Sequence, residues 1–283
     1  MKHKILVTGG AGFIGTNLIK RLAKEGHDIL SVDDYSTGLE SNHVDSVRYT
    51  KVDIRDLQQW NITIDQIYHI AARARINPSY SKYKEYFESN AVGTHSVLEF
   101  AKKQGAKVVY AGSSSRHKEP ECSPYANTKF IGEQLCKQFR FSLGQEVEIA
   151  RFYNVYGPNE IIDPRNGTVL GIWQDCVRNN NPIPIVGDGE QRRDFTHVDD
   201  IVDGLIRIMN SDEIHTDAWE LGTGKNYSVN QVADWFCDKF NTHRYYTDDR
   251  PGNYRESLRV NDDAKDKLNW NPNDKLKDYI YSL

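Results

Sequence analysis

A glycine-rich loop stands between a short apolar run and an amphipathic stretch near the start of the chain, and few folds accommodate that arrangement. Residues 4–7 read as a strand, Thr8-Gly9-Gly10-Ala11-Gly12-Phe13-Ile14-Gly15 follows, and residues 13–23 carry Ile14, Leu18, Ile19 and Leu22 at helical spacing. Gly10-x-Gly12-x-x-Gly15 fits the dinucleotide fingerprint, and Gly9-x-x-Gly12-x-x-Gly15 fits its close variant. Glycines here let the backbone approach a pyrophosphate, whose charge the amides and dipole of a helix N-terminus favour. Asp33 follows Gly12 by 21 positions, at the end of a second strand over residues 29–32, where a carboxylate accepts from the adenosine ribose. Such a carboxylate repels a 2′-phosphate, and no Arg follows it directly, so NAD is expected rather than NADP.

The same alternation continues. Strands are expected at residues 47–52, 66–71, 106–111 and 147–151, and helices at 83–103 and 125–141. Strand and helix taking turns imply βαβ units and a parallel sheet covered on both faces, an α/β doubly wound (Rossmann) domain. After Gly157-Pro158 the elements shorten, with helices expected at 169–178, 199–209 and 229–239. The expected division is a NAD-binding domain, 1–155, and a smaller C-terminal α/β substrate domain, 156–283, with the chain crossing back around 190–222.

Composition narrows the function classes. With 38% hydrophobic residues a sizeable core is available, and 36 basic against 40 acidic residues argue against a nucleic-acid binder. No apolar run approaches the ~20 residues that span a bilayer. The three apolar residues before the first glycines read as a strand and not a signal peptide, so a cytoplasmic protein is expected. Cys122, Cys136, Cys176 and Cys237 form no CxxC pair, and neither a disulfide framework nor a metal is expected.

Tyr125-Ala-Asn-Thr-Lys129 places a phenol and an ammonium one helical turn apart. A nearby ammonium favours phenolate, which would turn Tyr125 into a base near neutrality. Upstream, the strand over 106–111 runs into Gly112-Ser113-Ser114-Ser115, whose hydroxyls would face the ligand crevice at the carboxyl edge of the sheet.

Together these segments resemble the extended short-chain dehydrogenase/reductase family, specifically its nucleotide-sugar epimerases and dehydratases. Asn90-Ala-Val-Gly-Thr94, Arg151-Phe-Tyr-Asn154-Val-Tyr-Gly-Pro158, Arg193-Asp-Phe-Thr-His-Val-Asp199-Asp200, Arg250-Pro-Gly-Asn253 and Leu268-Asn-Trp-Asn-Pro272 resemble further motifs of that family in order and spacing. The resemblance implies Tyr125 as base, Lys129 on the nicotinamide ribose and Ser113 on the sugar's C4 oxygen. It implies a cofactor set of Gly9, Gly12, Phe13, Ile14, Gly15, Asp33, Asp34, Thr37, Gly38, Asp53, Ile54, Ala71, Ala72, Lys129 and Tyr153, with Asp53-Ile54 meeting the adenine. Ser114, Asn154, Arg193, Arg250, Asn253 and Ser257 would bind the nucleotide sugar. A homodimer is implied, joined by helices near 83–103 and 125–141, with Phe130, Leu135 and Phe139 as its apolar seam.

Departures are visible too. Only 12 residues separate Ser113 from Tyr125, Arg116-His117-Lys118 stands where relatives have Val-Tyr-Gly, and Asn253 replaces Asp. Dehydratases carry Asp-Glu where this chain has Ser114-Ser115, and serine hydroxyls cannot replace a carboxyl acid–base pair. The leading expectation is a UDP-sugar 4-epimerase acting on the glucose/galactose or the N-acetylhexosamine pair, a small Ser257 leaving room for an acetamido group. A decarboxylase or 4-keto reductase comes second, and a catalytically idle NAD-binding sensor third.

Overall fold

The computed structural model describes residues 2–283. In order, the first half of the chain gives β1 (Lys4–Thr8), α1 (Phe13–Lys24), β2 (Asp28–Asp33), β3 (Arg48–Lys51), β4 (Gln66–His69), α2 (Ile76–Ser81) and α3 (Tyr83–Phe87). A π turn, Glu88–Gly93, then leads into α4 (Thr94–Gln104), β5 (Lys107–Ser113), α5 (Pro124–Leu143), β6 (Val147–Phe152) and β7 (Asn154–Tyr156). The second half supplies α6 (Val169–Arg178), β8 (Ile183–Val186), β9 (Arg192–His197), α7 (Val198–Asn210), β10 (Trp219–Leu221) and β11 (Asn226–Ser228). It ends with α8 (Val229–Phe240), β12 (Arg244–Thr247), α9 (Asp263–Leu268) and α10 (Leu276–Ser282).

Seven parallel strands form the main sheet in the order β10-β6-β5-β4-β1-β2-β3. Strands covered on both faces are continuously apolar, as Ile5, Leu6 and Val7 show, all three fully buried. One face packs Leu18, Ile19 and Leu22 of α1 with Ile201 and Leu205 of α7, and the other packs Leu98 and Phe100 of α4 with Cys136 of α5. The order reverses between β1 and β4, and the crevice at such a switch point receives ligands in doubly wound sheets. A third core, with Trp173, Ile185, Phe195 and Phe236, lies under a three-stranded sheet (β11-β9-β7) and the β12-β8 pair.

Two sequence expectations need correction. The helix expected over 83–103 is interrupted by the π turn, which swings Asn90 fully inside. The turn ends at a close contact: a Cβ on Gly93 would overlap the Ile54 side chain, so the helix approaches the β3–β4 connection at a glycine. Phe139 belongs to the core beside Cys136 rather than to an outer seam. Outside these two corrections, β10 lies in the 190–222 stretch and pairs with Ala150, Arg151 and Phe152 of β6, adding the seventh strand at the edge of the main sheet.

Side-chain capping fixes where α5 begins. Ser123 accepts from the Ala126 amide at 3.1 Å, Pro124 occupies the first turn, and Gly144 ends the helix in the left-handed conformation (φ 66°). Its position against the sheet is set by charge. The Arg151 guanidinium, 1% exposed, meets Glu133 of α5 at 2.8 Å, Glu220 of β10 at 2.9 Å and Asp217 at 2.7 Å. Removing one partner of a buried ion group strands the rest without water. Arg151→Met is therefore expected to cost ~3–5 kcal/mol in urea unfolding. Lys137→Ala, at the partly exposed Lys137–Asp217 pair, should cost less than about 1 kcal/mol.

Candidate functional site

Two loops that leave the sheet at the β1/β4 reversal frame a cleft of about 310 Å³. On one side lie Gly9, Gly12, Phe13, Ile14 and Gly15, and on the other Ala71 to Arg75, with Asp33, Asp34, Thr37, Asp53 and Ile54 at one end. Gly9 adopts φ +71°, and a Cβ on Gly15 would overlap the Gly9 carbonyl oxygen. Gly12 is different: a Cβ there would meet only the Gly9 oxygen, at 3.3 Å, so it guards open space toward the cleft. No carboxylate occupies the first turn of α1, and its amides have no intrahelical partner. This donor set fits the pyrophosphate of a dinucleotide.

Asp33 is 7% exposed and holds the loop in shape, accepting from the Ala11 amide at 3.0 Å and from the Tyr35 amide at 2.9 Å. Burial raises its pKa, with those two amides acting in the opposite direction. Gly38 packs directly against this carboxylate. Asp53, expected at the adenine, is gripped by Arg55, whose Nη2 lies 2.7 Å from its Oδ2. Tyr153 lies apart from the cleft wall: its buried hydroxyl donates to Glu220 at 2.8 Å.

The catalytic candidates converge at the carboxyl end of β5. Tyr125 Oη donates to Ser113 Oγ at 3.3 Å, and Ser113 Oγ also accepts from the Ser115 hydroxyl at 2.9 Å. Lys129 does not touch the phenol. Its Nζ donates to the Ala111 carbonyl at 2.6 Å and lies 4.2 Å from the Tyr110 ring centre. Burial pushes Lys129 down to about 8, against the pull of Glu133. Tyr125 is raised from its ordinary value because burial outweighs the Ser113 hydrogen bond and the Arg75 charge. The expected lowering by Lys129 is thus not what this structure shows; the ammonium is turned back into the sheet.

Of the substrate candidates, Arg250 and Asn253 line a second cavity, of about 460 Å³, together with His117, Lys118 and Tyr254 among others; Ser114, Asn154, Arg193 and Ser257 are not part of its wall. Arg193 donates to Asn253 Oδ1 at 2.9 Å and stacks on Tyr254, its guanidinium carbon 4.4 Å from the ring centre. Tyr254 in turn faces Ser114. Asn154 donates to the Asp194 carbonyl at 3.2 Å, and Ser257 is buried with its amide on the Arg192 carbonyl at 3.0 Å.

Sequence reasoning passed over Arg73, Arg75 and Glu160. The Ala-Arg-Ala-Arg run at 72–75 leaves the carboxyl end of a parallel strand, where ligands gather, and that signal could have found both arginines. Asn90 holds their loop: its Oδ1 accepts from the Arg73 amide at 2.8 Å, and its Nδ2 donates to the Arg73 carbonyl at 3.0 Å and to Thr128 of α5 at 3.1 Å. Glu160 is 7% exposed, accepts from Thr168 and from Gln174, and is pushed up to about 7 by burial. Among the described residues, no three His, Cys, Asp or Glu side chains are grouped to hold a metal, and no helix is long and apolar enough to cross a membrane.

Residues 5–222 match the model of the NAD dependent epimerase/dehydratase family. A putative UDP-glucose 4-epimerase of Methanocaldococcus jannaschii is 32% identical over 301 residues, spanning 98% of this chain and 95% of that protein. UDP-glucuronic acid decarboxylase 1 of Arabidopsis thaliana is 28% identical over 302 residues, 97% of this chain but 67% of that longer protein. Among solved structures, UDP-glucose 4-epimerase from Thermotoga maritima with UDP-glucose superposes with a TM-score of 0.89 at 26% identity, covering 98% of this chain and 96% of that one.

Two outcomes follow from this geometry. Gly12→Ala should fold with a loss below about 1 kcal/mol yet bind NAD at least ~10-fold more weakly in calorimetry, because the new methyl group fills the approach to the loop. Glu160 carries a folded-state pKa near 7 against 4.5 when unfolded, so its proton stabilises the fold below pH 4.5 and that contribution is lost as pH rises through about 7. Relative to wild type, Glu160→Gln should therefore gain ~2–3 kcal/mol in urea unfolding between about pH 4 and about pH 8. A difference that stays constant with pH would show the carboxyl titrating alike in the folded and unfolded chain.

Proposed function

The chain belongs to the NAD dependent epimerase/dehydratase family, and on that premise we propose that it is a UDP-sugar 4-epimerase working through a transient 4-keto sugar. The glycine loop and the Asp33 end of the cleft would hold NAD, which would supply a reversible hydride acceptor for C4. Tyr125 takes the C4 hydroxyl proton and later gives it back, while Ser113 holds the C4 oxygen within reach of that phenol. Because burial disfavours phenolate at Tyr125, the Ser113 hydrogen bond and neighbouring positive charge must stabilise it. Lys129, anchored on Ala111, presents its cation at the floor of the same site.

The observation that carries this reading is the residue pair after Ser113. Ser114 and Ser115 are buried hydroxyls, and Ser115 donates to Ser113 rather than offering a carboxyl group for elimination of water. A second reading, decarboxylation of a UDP-uronate, is favoured by the relatedness to the Arabidopsis decarboxylase. NMR of the products from a panel of UDP-hexoses, N-acetylhexosamines and UDP-glucuronic acid separates the two, since only the second releases carbon dioxide. The reading also carries a pair of copies joined along α4 and α5, near which Val92, Phe141 and Leu143 stand exposed.

Tyr125→Phe removes the proton acceptor and leaves the cofactor cleft intact. Turnover is expected to fall ~10²–10⁴-fold, while the NAD released on denaturing the purified protein stays at the wild-type amount. Undiminished epimerisation by this variant would rule the mechanism out.

A further inference from the structure

Three arginines line the cleft beside the glycine loop, and their partners differ. Arg55 is paired with Asp53 at 2.7 Å and Arg73 with Asp34 at 3.3 Å. Arg75, half-buried, gives its Nε to the Asn166 carbonyl at 2.7 Å, and among the described residues its two terminal nitrogens have no acceptor. A guanidinium withdrawn from water without a carboxylate is costly unless an anion completes it. Glu160 is near, but it is occupied by Thr168 and Gln174 and does not reach ion-pair distance of Arg75.

The place of this unpaired fork decides which anion it serves. A dinucleotide pyrophosphate belongs at the other side of the cleft, on the glycine loop and the start of α1. Arg75 stands on the Tyr125 side. Its charge acts on the phenols of Tyr125 and Tyr86, whose rings meet edge-on with centres 6.5 Å apart. In a hexose oxidised at C4, the C4 oxygen sits at Tyr125, and the C6 group hangs from the adjacent ring carbon. Of the two ring carbons that flank C4, C3 carries a neutral hydroxyl, whereas C5 carries C6, which in a uronic acid bears the one charge that a cation beside Tyr125 could take. We propose that Arg75 binds the C6 carboxylate of a nucleotide-linked uronic acid, so that the sugar handled at this site is a uronate rather than a neutral hexose. The proposal rests on the 4-epimerase reading, which is what puts C4 at Tyr125. A guanidinium fork can take both carboxylate oxygens at once, a match that a C6 hydroxymethyl group cannot supply.

The test measures binding apart from turnover. NAD-loaded Tyr125→Phe protein is titrated calorimetrically with UDP-glucuronic acid and with UDP-glucose. The uronate is expected to bind ~10–100-fold more tightly. Adding Arg75→Gln should abolish that ratio, and adding Arg75→Lys should keep part of it, while bound NAD and thermal unfolding stay as in the parent. Equal binding of the two sugars by the parent overturns the proposal. So does an Arg75→Gln protein that keeps the ratio, or one that loses NAD instead and leaves the ratio unchanged. Failure of the underlying reading looks different: wild-type protein would then convert none of these sugars and accumulate no NADH, and the binding ratio would still decide the role of Arg75.

Discussion

One guanidinium, buried among three carboxylates, sets the geometry on which the site depends. Arg151 lies on β6, Glu133 on α5, Glu220 on β10 and Asp217 just before β10, so the ion group joins three elements that are far apart in the chain. Glu133 reaches further: its Oε1 also accepts from the Ser113 amide at 3.4 Å. Glu220 accepts from His117 at 2.8 Å, tying down the short segment that follows the serines. The distance between Ser113 and Tyr125 is therefore fixed from behind, by charges that cannot rearrange without leaving one of their number unpaired and dry. Such an arrangement contributes little net stability compared with an apolar core; what it supplies is a unique placement of α5.

A second, neutral constraint works from the other side of α5. The π turn brings Asn90 inward, where its amide clasps the backbone of Arg73 and reaches Thr128. The loop that carries Arg73 and Arg75 is thereby referenced to the helix that carries Tyr125. His69, buried between Thr8 and Thr94, extends the same set of contacts to the end of β1, and burial pushes it down to about 3, so it stays neutral. Polar groups that hold one another in this way give a site its shape without adding charge to it.

Much of this was legible in the sequence, and the reasons differ by feature. The Rossmann half follows from apolar runs that must be buried on both faces, and the glycine loop with Asp33 follows from backbone geometry that few other residues permit. Tyr125 and Ser113 were legible because each sits at a position dictated by an element boundary, the first turn of α5 and the last residue of β5. What escaped reading depends on tertiary contacts. The orientation of Lys129 toward Ala111 is chosen by the local sheet, not by helical spacing. The end of the π turn packs on Ile54, some forty positions earlier. The strands β7 to β12 run from three to six residues, too short for an alternation to stand out. Arg75 has no spacing signal of its own; its half-buried place and its one acceptor among the described residues, the Asn166 carbonyl, come from contact with chain some ninety positions later.

The position of β10 has a consequence for the order in which the molecule can be assembled. Until residues 219–221 have been synthesised, the outer edge of β6 has no neighbour, and the Arg151 side chain lacks two of its three carboxylates. A nascent chain ending near residue 155 would hold six of the seven sheet strands but would present a bare parallel edge with a cation behind it. The Rossmann half is thus not a module that the ribosome can finish and set aside. Closure of its sheet waits for chain made much later, and long-range pairing of that kind is slow to form and exposed to wrong partners in the interval.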